Sequence, residues 1–294
     1  MQISEDLFNS KTFGKMQIGD YQIFAVECER FALDGGAMFG TVPKALWEKS
    51  NPADEKNRIE MSARAMLIVG NGRKILVDTG MGQKWEPKYR EMYKISESFL
   101  EQNLRRAGVS PEEITDVILT HLHFDHAGGA TKLQDGKLVP TFPNATYYVQ
   151  EANYKWAMSP NAREKASYLK ENFVPLLEHN QLRFTDGETE IFPNIHLMLS
   201  HAHTHAQQLV RVTDGKTSVC YCGDLIPTSS HIPLPWVMGY DLYPLEIMEE
   251  KRKLLERAAD EHWILFFEHD PFKDAADVIK AEKGIVKNTV FFIN

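Results

Sequence analysis

The segment from Thr120 to Gly129 has the residue types and the spacing of a metal site. Directly after an apolar stretch, it places four ligand side chains, His121, His123, Asp125 and His126, within six residues. Neutral imidazole and carboxylate groups suit zinc and similar first-row ions. In an extended segment, alternation puts His121 and His123 on one side, and Asp125 and His126 then face a second position. The alternative is a solvated, histidine-rich surface turn.

This His-x-His-x-Asp-His pattern resembles the signature of the metallo-β-lactamase fold superfamily and matches it at every ligand position. Gly128 and Gly129 follow at once, and we expect them to let the backbone turn sharply around the ions and enter a helix. The resemblance implies an α/β fold, an αββα sandwich of two mixed β-sheets flanked by helices.

The family requires three further ligands, and candidates for all of them follow in order. A histidine is needed on a loop, and the segment 200–208 offers His201, His203 and His205. Alignment with the family's Gly-His-Thr selects His203, but all three would lie on one side of an extended chain, so His201 and His205 stay open. Asp224 and His269 each follow an apolar run, at the places where the family has a bridging carboxylate and the last histidine.

The resemblance therefore implies two divalent metal ions, which we expect to be zinc. The seven ligands divide into one set for each ion and one bridging carboxylate: His121, His123 and His203; Asp125, His126 and His269; and Asp224. Two cations lower the pKa of a bridging water enough to supply hydroxide near neutral pH. The complete ligand set disfavours the alternative of a metal-binding protein without catalytic activity.

A further carboxylate, Asp78, stands in the sequence Val77-Asp78-Thr79-Gly80, which resembles the family's strand-end Asp-Thr-Gly. The resemblance implies that Asp78 lies behind the metal loop. There it would accept hydrogen bonds from the backbone or from a ligating imidazole and so fix the orientation of that ring. A plain turn cap is the alternative.

The elements that must position these ligands are visible as apolar segments. Alternation and β-branched residues predict strands over 21–28, 65–69, 74–77, 116–119, 146–149, 195–199, 210–212, 218–222 and 263–267. Helical spacing predicts helices over 99–107, 169–177 and 247–259, and a short helical turn opens with the capping box at 110–113. Turn residues at 70–72 and 213–216 predict hairpins. Hairpins mixed with strand–helix units indicate mixed sheets covered by helices.

Composition agrees with a single domain over 1–294. With 294 residues and 43% hydrophobic content the chain can bury a large core. The net charge of −8 excludes a diffuse basic surface, so we expect no nucleic-acid partner. No apolar run reaches the length of a membrane span, and the first residues lack the basic start of a signal peptide. We therefore expect no membrane association and a cytoplasmic location, unless a signal peptide has been removed.

Two longer segments, 33–47 and 223–236, resemble the quorum-quenching N-acyl-homoserine lactonases of this superfamily. The resemblance implies hydrolytic opening of lactone rings. Met38, Phe39, Trp236 and Tyr240 are the expected substrate contacts, since large apolar side chains build a groove for an acyl chain. Packing into the core is the alternative for the aromatic residues.

One departure from the lactonase pattern concerns the third residue after the bridging aspartate. Several lactonases of the family have a tyrosine there, whereas this chain has Pro227. Either Tyr240, Tyr243 or His231 replaces that tyrosine, or the substrate is not an acyl-homoserine lactone.

The expected reaction is hydrolysis of a small-molecule lactone or ester by a dimetal hydroxide. Asp125 is the candidate for proton transfer to the alkoxide leaving group, and Asp224 holds the two ions together. The alternative enzymes are a phosphotriesterase or phosphodiesterase, since the same hydroxide attacks phosphorus, or another esterase of this fold. The sequence is compatible with a homodimer.

Overall fold

In the described chain, residues 14–282 and 284–293 of a computed structural model, β-strands hold more residues than α-helices do. Residues 1–13, on which the expectation about a signal peptide rests, lie outside the described residues. In chain order the strands are β1 (Met16–Ile18), β2 (Tyr21–Asp34), β3 (Arg58–Gly70), β4 (Arg73–Val77), β5 (Asp116–Ile118), β6 (Thr131–Gln134), β7 (Lys137–Pro140), β8 (Thr146–Gln150), β9 (Leu182–Thr185), β10 (Thr189–Phe192), β11 (Ile195–Ser200), β12 (Gln207–Thr213), β13 (Ser218–Tyr221), β14 (Trp263–Phe266), β15 (Ala275–Ala281) and β16 (Gly284–Phe291).

The α-helices of the described residues are fewer than the strands, and only the last of them is longer than eight residues. They are α1 (Gly35–Phe39), α2 (Lys44–Trp47), α3 (Pro87–Met92), α4 (Leu100–Arg106), α5 (Phe124–Ala127), α6 (Glu151–Met158), α7 (Val174–Glu178) and α8 (Pro244–Asp260). Within the described ranges, none of them combines the length and the apolar character that a bilayer-crossing helix needs.

Two seven-stranded sheets organise the chain, one from each half. The first has the order β1-β2-β3-β4-β5-β8-β9 and the second runs from β10 to β16 in sequence order. The first sheet is antiparallel from β1 to β4 and parallel from β4 to β9. In the second sheet β13 and β14 run parallel and the other neighbours antiparallel. Both sheets are therefore mixed, as expected.

The two sheets stack face to face, and helices cover their outer faces. Strand β2 shows how: Ile23 packs into the core between the sheets, whereas Phe24 packs into the core under the helices of the first half. Successive side chains of a strand point to opposite faces, so a strand that is buried on both sides reads as a continuous apolar run. Helix α8 covers the second sheet with Ile247, Leu254 and Leu255. The αββα sandwich is thus confirmed.

The turn between β3 and β4 follows from two residues. Asn71 and Gly72 form a two-residue loop with φ of 48° and 74°, and Gly70 pairs with Arg73 across it. Positive φ at both central positions is the requirement of a type I′ hairpin turn, which Asn-Gly meets at low cost. The predicted hairpin is confirmed.

The predicted helix over 169–177 is wrong as one element. The structure has a 3₁₀ turn over Lys170–Asn172 and then α7, separated by Phe173 at φ −135°. Pro175 lies in the first turn of α7. Since proline fits the first turn of a helix but not its interior, it marks a new helix start inside the apolar pattern.

Gly128 and Gly129 have a different role from the one expected. Helix α5 begins at Phe124, before the glycines. A Cβ added at Gly128 would lie 2.1 Å from the carbonyl oxygen of Met81, and one at Gly129 would lie 2.2 Å from that of Thr79. The two glycines therefore let the metal loop lie directly against the loop that follows β4.

Candidate metal centre

The candidate ligands come from strand ends that meet on one side of the sandwich. The His-x-His-x-Asp-His segment follows β5 in the first sheet. His203 lies between β11 and β12, Asp224 follows β13, and His269 follows β14, all in the second sheet. Stacking the sheets therefore brings together ligands that lie far apart in the sequence.

Four of these residues form cluster 1, which we define as His121, His123, His203 and Asp224. One ligand atom from each lies within 4.8 Å of the others, and all four residues are buried. His123 Nδ1 is 3.0 Å from His121 Nε2 and 3.3 Å from His203 Nε2. Oδ2 of Asp224 is 3.0 Å from His203 Nε2.

Cluster 2 consists of Asp125, His126 and His269, whose ligand atoms also lie within 4.8 Å of one another. The Nε2 atoms of His126 and His269 are 3.3 Å apart. Asp224 lies between the clusters, because its Oδ1 is 3.1 Å from His269 Nε2 while its Oδ2 faces His203. This is the arrangement expected of a bridging carboxylate.

The two other histidines of the loop after β11 lie outside both clusters. His201 is exposed, and its Nδ1 accepts a hydrogen bond from the backbone N–H of Ala206. The ring of His205 packs 5.1 Å from that of Trp156. Among the three candidates, only His203 contacts other predicted ligands.

The donor set fits divalent cations. Imidazole nitrogens face one another at hydrogen-bonding distance across each cluster, where neutral rings cannot all donate. Oδ1 of Asp224 is buried and accepts no hydrogen bond, although it lies 3.1 Å from His269 Nε2. A buried, unpartnered carboxylate oxygen is costly unless a cation or donor satisfies it. Cations bound between the rings would satisfy both the oxygen and the converging nitrogens.

Asp78 lies behind the metal loop in an uncommon conformation. Its φ is 59°, a left-handed value that few non-glycine residues adopt. The Thr120 backbone N–H and hydroxyl donate to its two oxygens at 2.7 Å each. Its Oδ2 is 3.0 Å from His126 Nδ1. The structure thus brings Asp78 to the ring of a candidate ligand, which leaves His126 Nε2 to face cluster 2.

Three buried carboxylates that contact ligand rings were not predicted from the sequence. Glu268 Oε2 is 2.8 Å from His126 Nδ1, Asp241 Oδ1 is 3.0 Å from His203 Nδ1, and Glu164 Oε1 is 3.4 Å from His123 Nε2. Glu268 directly precedes the candidate ligand His269, and this position in the sequence could have indicated its contact with the site. Asp241 and Glu164 stand in loops without a motif.

Burial and charge act in opposite directions on the ligand rings. Burial disfavours the charged form of His203 and of His269, but neighbouring carboxylates outweigh it. Asp224 and Asp241 raise the pKa of His203 to about 10, and Asp224 and Glu268 raise the pKa of His269 to about 9. Burial likewise opposes the charge of Asp224, but the surrounding histidines hold the pKa of that carboxyl well below its ordinary value.

This electrostatic arrangement predicts that metal binding releases protons. Without metal, His126, His203 and His269 hold their protons at pH 7, because all three pKa values lie above the ordinary value. Metal ligation requires neutral imidazole, so filling both clusters at pH 7 should release about three protons, and apparent affinity should rise with pH. Calorimetry of zinc binding in buffers of different ionisation enthalpy measures this number. A binding heat independent of the buffer would contradict the prediction.

The same raised pKa values make the stability of the metal-free protein depend on pH in the direction opposite to metal affinity. Raised histidine pKa values contribute stability that is fully present below the ordinary value near 6.5 and is lost as the pH rises through about 9 to 10. Metal affinity and metal-free stability should therefore change in opposite directions over this range.

A cavity of about 320 Å³ opens onto the two clusters. Its lining combines ligands with apolar and aromatic side chains: Leu33, Met38, Tyr93, His123, Phe124, Asp125, Arg163, Glu164, Ala166, Ser167, His203, Asp224, Met238, Gly239, Tyr240 and His269. The expected contacts Met38 and Tyr240 are part of this lining. A cavity of this kind suits a small, partly apolar ligand.

Phe39 and Trp236 are not part of this lining, contrary to expectation. Phe39 is fully buried and stacks on Trp47 at 5.4 Å and on His231 at 4.7 Å. Trp236 packs edge-on against Phe39. Phe39 belongs to the core of the first half, since successive residues of a helix such as α1 point about 100° apart and Phe39 therefore faces away from the side of Met38. Trp236 packs against that core through Phe39.

Of the three residues considered as replacements for the family tyrosine at Pro227, Tyr240 alone lines the cavity. His231 is buried, with Nε2 2.8 Å from the carbonyl oxygen of Met38. Tyr243 is 47% exposed and lies outside the lining.

Comparison with known proteins places these features in a family. The profile of the metallo-beta-lactamase superfamily matches residues 59–269. An N-acyl homoserine lactonase of Bacillus cereus is 30% identical over 242 residues, covering 78% of this chain and 86% of that protein. An N-acyl homoserine lactonase of Bacillus thuringiensis is 29% identical over 170 residues, covering 57% of this chain and 60% of the lactonase.

Among solved structures, a probable metal-dependent hydrolase from Staphylococcus aureus superposes with a TM-score of 0.87 at 29% identity, covering 94% of this chain and 98% of that one. The profile match spans more than half of the chain and contains every residue of both clusters. This chain therefore belongs to the metallo-beta-lactamase superfamily.

Proposed function

We propose that the protein is a dinuclear, zinc-dependent lactonase that opens the rings of N-acyl-homoserine lactones. The observation that carries the proposal is the pair of ligand clusters, bridged by Asp224, at the base of a cavity with apolar walls. The lactonases of Bacillus cereus and Bacillus thuringiensis, both similar to this chain, support the choice of substrate.

The residues of the chain would have separate tasks in this reaction. When bound, the two ions would polarise the lactone carbonyl and lower the pKa of a water near it. Asp224 would keep the two ligand clusters at bridging distance, since its Oδ2 lies 3.0 Å from His203 Nε2 and its Oδ1 lies 3.1 Å from His269 Nε2. Asp125 lines the cavity and retains 12% exposure of its side chain, so its carboxyl can carry a proton to the departing alkoxide.

The cavity walls would hold the acyl chain. Met38, Phe124 and Met238 provide apolar surface, and each methylene buried against it contributes about 0.8 kcal/mol. Tyr240 also lines the cavity, and it would serve in place of the tyrosine that Pro227 replaces. We assign its hydroxyl to orientation of the substrate carbonyl or amide.

Zinc-loaded protein should hydrolyse acyl-homoserine lactones with kcat/KM that rises with chain length until the cavity is filled. Each methylene should raise kcat/KM by up to about four-fold, which corresponds to about 0.8 kcal/mol. The measurement compares a series of lactones with a phosphotriester, a phosphodiester and a glutathione thioester.

A metal-stripped sample serves as the control for metal dependence. Much faster turnover of a phosphate ester or of the thioester than of every lactone would refute the lactonase assignment. It would leave the dinuclear hydrolase in place, because the same metal centre can attack phosphorus or a thioester. Equal activity before and after stripping would refute the metal-dependent mechanism itself.

A further inference from the structure

A loop segment between α6 and the 3₁₀ turn at Lys170–Asn172 contacts the ligand residues of only one cluster. We define this segment, residues 161–168, as the strap. We propose that the strap positions cluster 1 and thereby sets the affinity of one metal ion without affecting the other. This inference rests on the proposed dinuclear centre.

Glu164 makes the first link. Its Oε2 accepts hydrogen bonds from Trp156 Nε1 and Asn161 Nδ2, both at 2.8 Å. Its Oε1 accepts from the Thr204 hydroxyl at 2.5 Å and lies 3.4 Å from His123 Nε2. The carboxylate is thus held in one orientation by three donors. At 3.4 Å the two atoms form no hydrogen bond, but the negative charge of Glu164 favours the tautomer of His123 with its proton on Nε2, which leaves Nδ1 to face cluster 1.

Thr204 and Tyr168 make the second link, to the loop that carries His203. Thr204 directly follows His203, and its hydroxyl lies 2.6 Å from the Tyr168 hydroxyl. The Tyr168 ring also packs 4.7 Å from the ring of His123. In addition, the carbonyl of Ser167 accepts the backbone N–H of Phe124. The strap therefore contacts both loops that supply histidines to cluster 1.

Arg163, an exposed residue of the cavity lining, makes the third link. Its guanidinium donates to the carbonyl oxygens of Gly239 and Asp241. The Asp241 side chain lies 3.0 Å from His203 Nδ1 through Oδ1 and accepts the Met238 N–H through Oδ2. Arg163 thus fastens the segment whose carboxylate orients the His203 ring.

Cluster 2 is held differently. His126 Nδ1 contacts Asp78 and Glu268, and His269 Nδ1 lies 2.8 Å from the carbonyl oxygen of Ser62. Those partners lie in β3 or directly after β4 and β14, inside the sandwich. Within residues 14–282 and 284–293, the ring partners of cluster 2 do not include a strap residue. Changes at Glu164 and Arg163, whose links lead to the rings of His123 and His203, should therefore act on cluster 1 alone.

The test replaces Glu164 with glutamine and, separately, Arg163 with methionine. Two zinc dissociation constants are measured by competition with a chromophoric chelator, and the zinc occupancy of each cluster is read from anomalous diffraction at limiting zinc. Glu164→Gln should raise one zinc dissociation constant about 10- to 100-fold and leave the other unchanged. The lost anomalous signal should lie at cluster 1. Arg163→Met should give a smaller change in the same direction.

Lys165→Met is the matched control, because Lys165 is an exposed cation of the same segment. Circular dichroism of the metal-free variants checks folding, and the exposed Arg163 provides a variant that removes no buried group. Loss of both ions together, or of neither, from folded variants would overturn the inference while leaving the dinuclear centre intact. If the unsubstituted protein binds only one zinc ion, the proposed dinuclear centre is wrong. The inference about the strap then fails with it, because no second ion exists whose affinity could stay unchanged.

Discussion

Replacing His203 with alanine should remove one zinc ion and lower kcat/KM for an acyl-homoserine lactone by about 10³-fold or more. His203 Nε2 lies between His123 Nδ1 and Asp224 Oδ2, so its loss opens cluster 1 on the side of the bridging carboxylate. An ion that polarises the carbonyl contributes several kcal/mol of transition-state stabilisation, and each 1.4 kcal/mol corresponds to about ten-fold in rate. Elemental analysis and steady-state kinetics on the same samples measure both effects.

His201→Ala and His205→Ala are the matched controls, because both remove an imidazole from the same loop. His201 is exposed and His205 packs on Trp156, so each variant should retain both zinc ions and full activity within about two-fold. Loss of an ion from His201→Ala, with His203→Ala unaffected, would show that the ligand register of this loop is wrong.

Replacing Asp125 with asparagine should lower kcat for an alkyl lactone by about 10²- to 10⁴-fold, because the amide cannot carry a proton to the alkoxide. The side chain lines the cavity, and its oxygens lie 3.7 Å from His269 Nε2 and 3.8 Å from His126 Nε2. Asparagine keeps an oxygen that can face cluster 2. The variant therefore separates proton transfer from ligation better than alanine would.

The leaving group supplies the internal control for Asp125. An ester of an acidic phenol needs no proton on its departing oxygen, so Asp125→Asn should affect it far less than it affects the lactone. Zinc content is determined for every sample. If a fully zinc-loaded variant loses activity equally on both substrates, Asp125 has a role in ligand geometry and none in proton transfer.

Several features of this protein followed from short stretches of its sequence. Histidine and aspartate at the spacing of residues 121–126 indicated a metal site because ligand chemistry is a property of the side chains themselves. Asn71 and Gly72 predicted a hairpin because the turn type depends on two local φ values. The apolar stripe of α8 predicted its buried face because helical periodicity is local as well. The family pattern then implied the two mixed sheets and the order of the remaining ligands.

The choice among the three histidines after β11 was decided only by the tertiary structure. An extended chain would place His201, His203 and His205 on one side, but β11 ends at Ser200 and the following backbone bends, with Ala206 at φ 55°. The loop thus points one imidazole into the cluster and leaves the other two outside. Where the extended geometry fails, alternation no longer predicts which side chains share a face.

Contacts between loops that lie far apart in the chain likewise could not be predicted from the sequence. His203 and Asp241 are 38 positions apart, and no motif links them. Two residues that are adjacent in the sequence also have different surroundings. Met38 lines the cavity, whereas Phe39 stacks between Trp47 and His231 in the core. Residue type shows that a side chain is apolar or can bind a metal. Which neighbours it meets depends on how the two sheets and their loops stack, because those contacts join segments far apart in the chain.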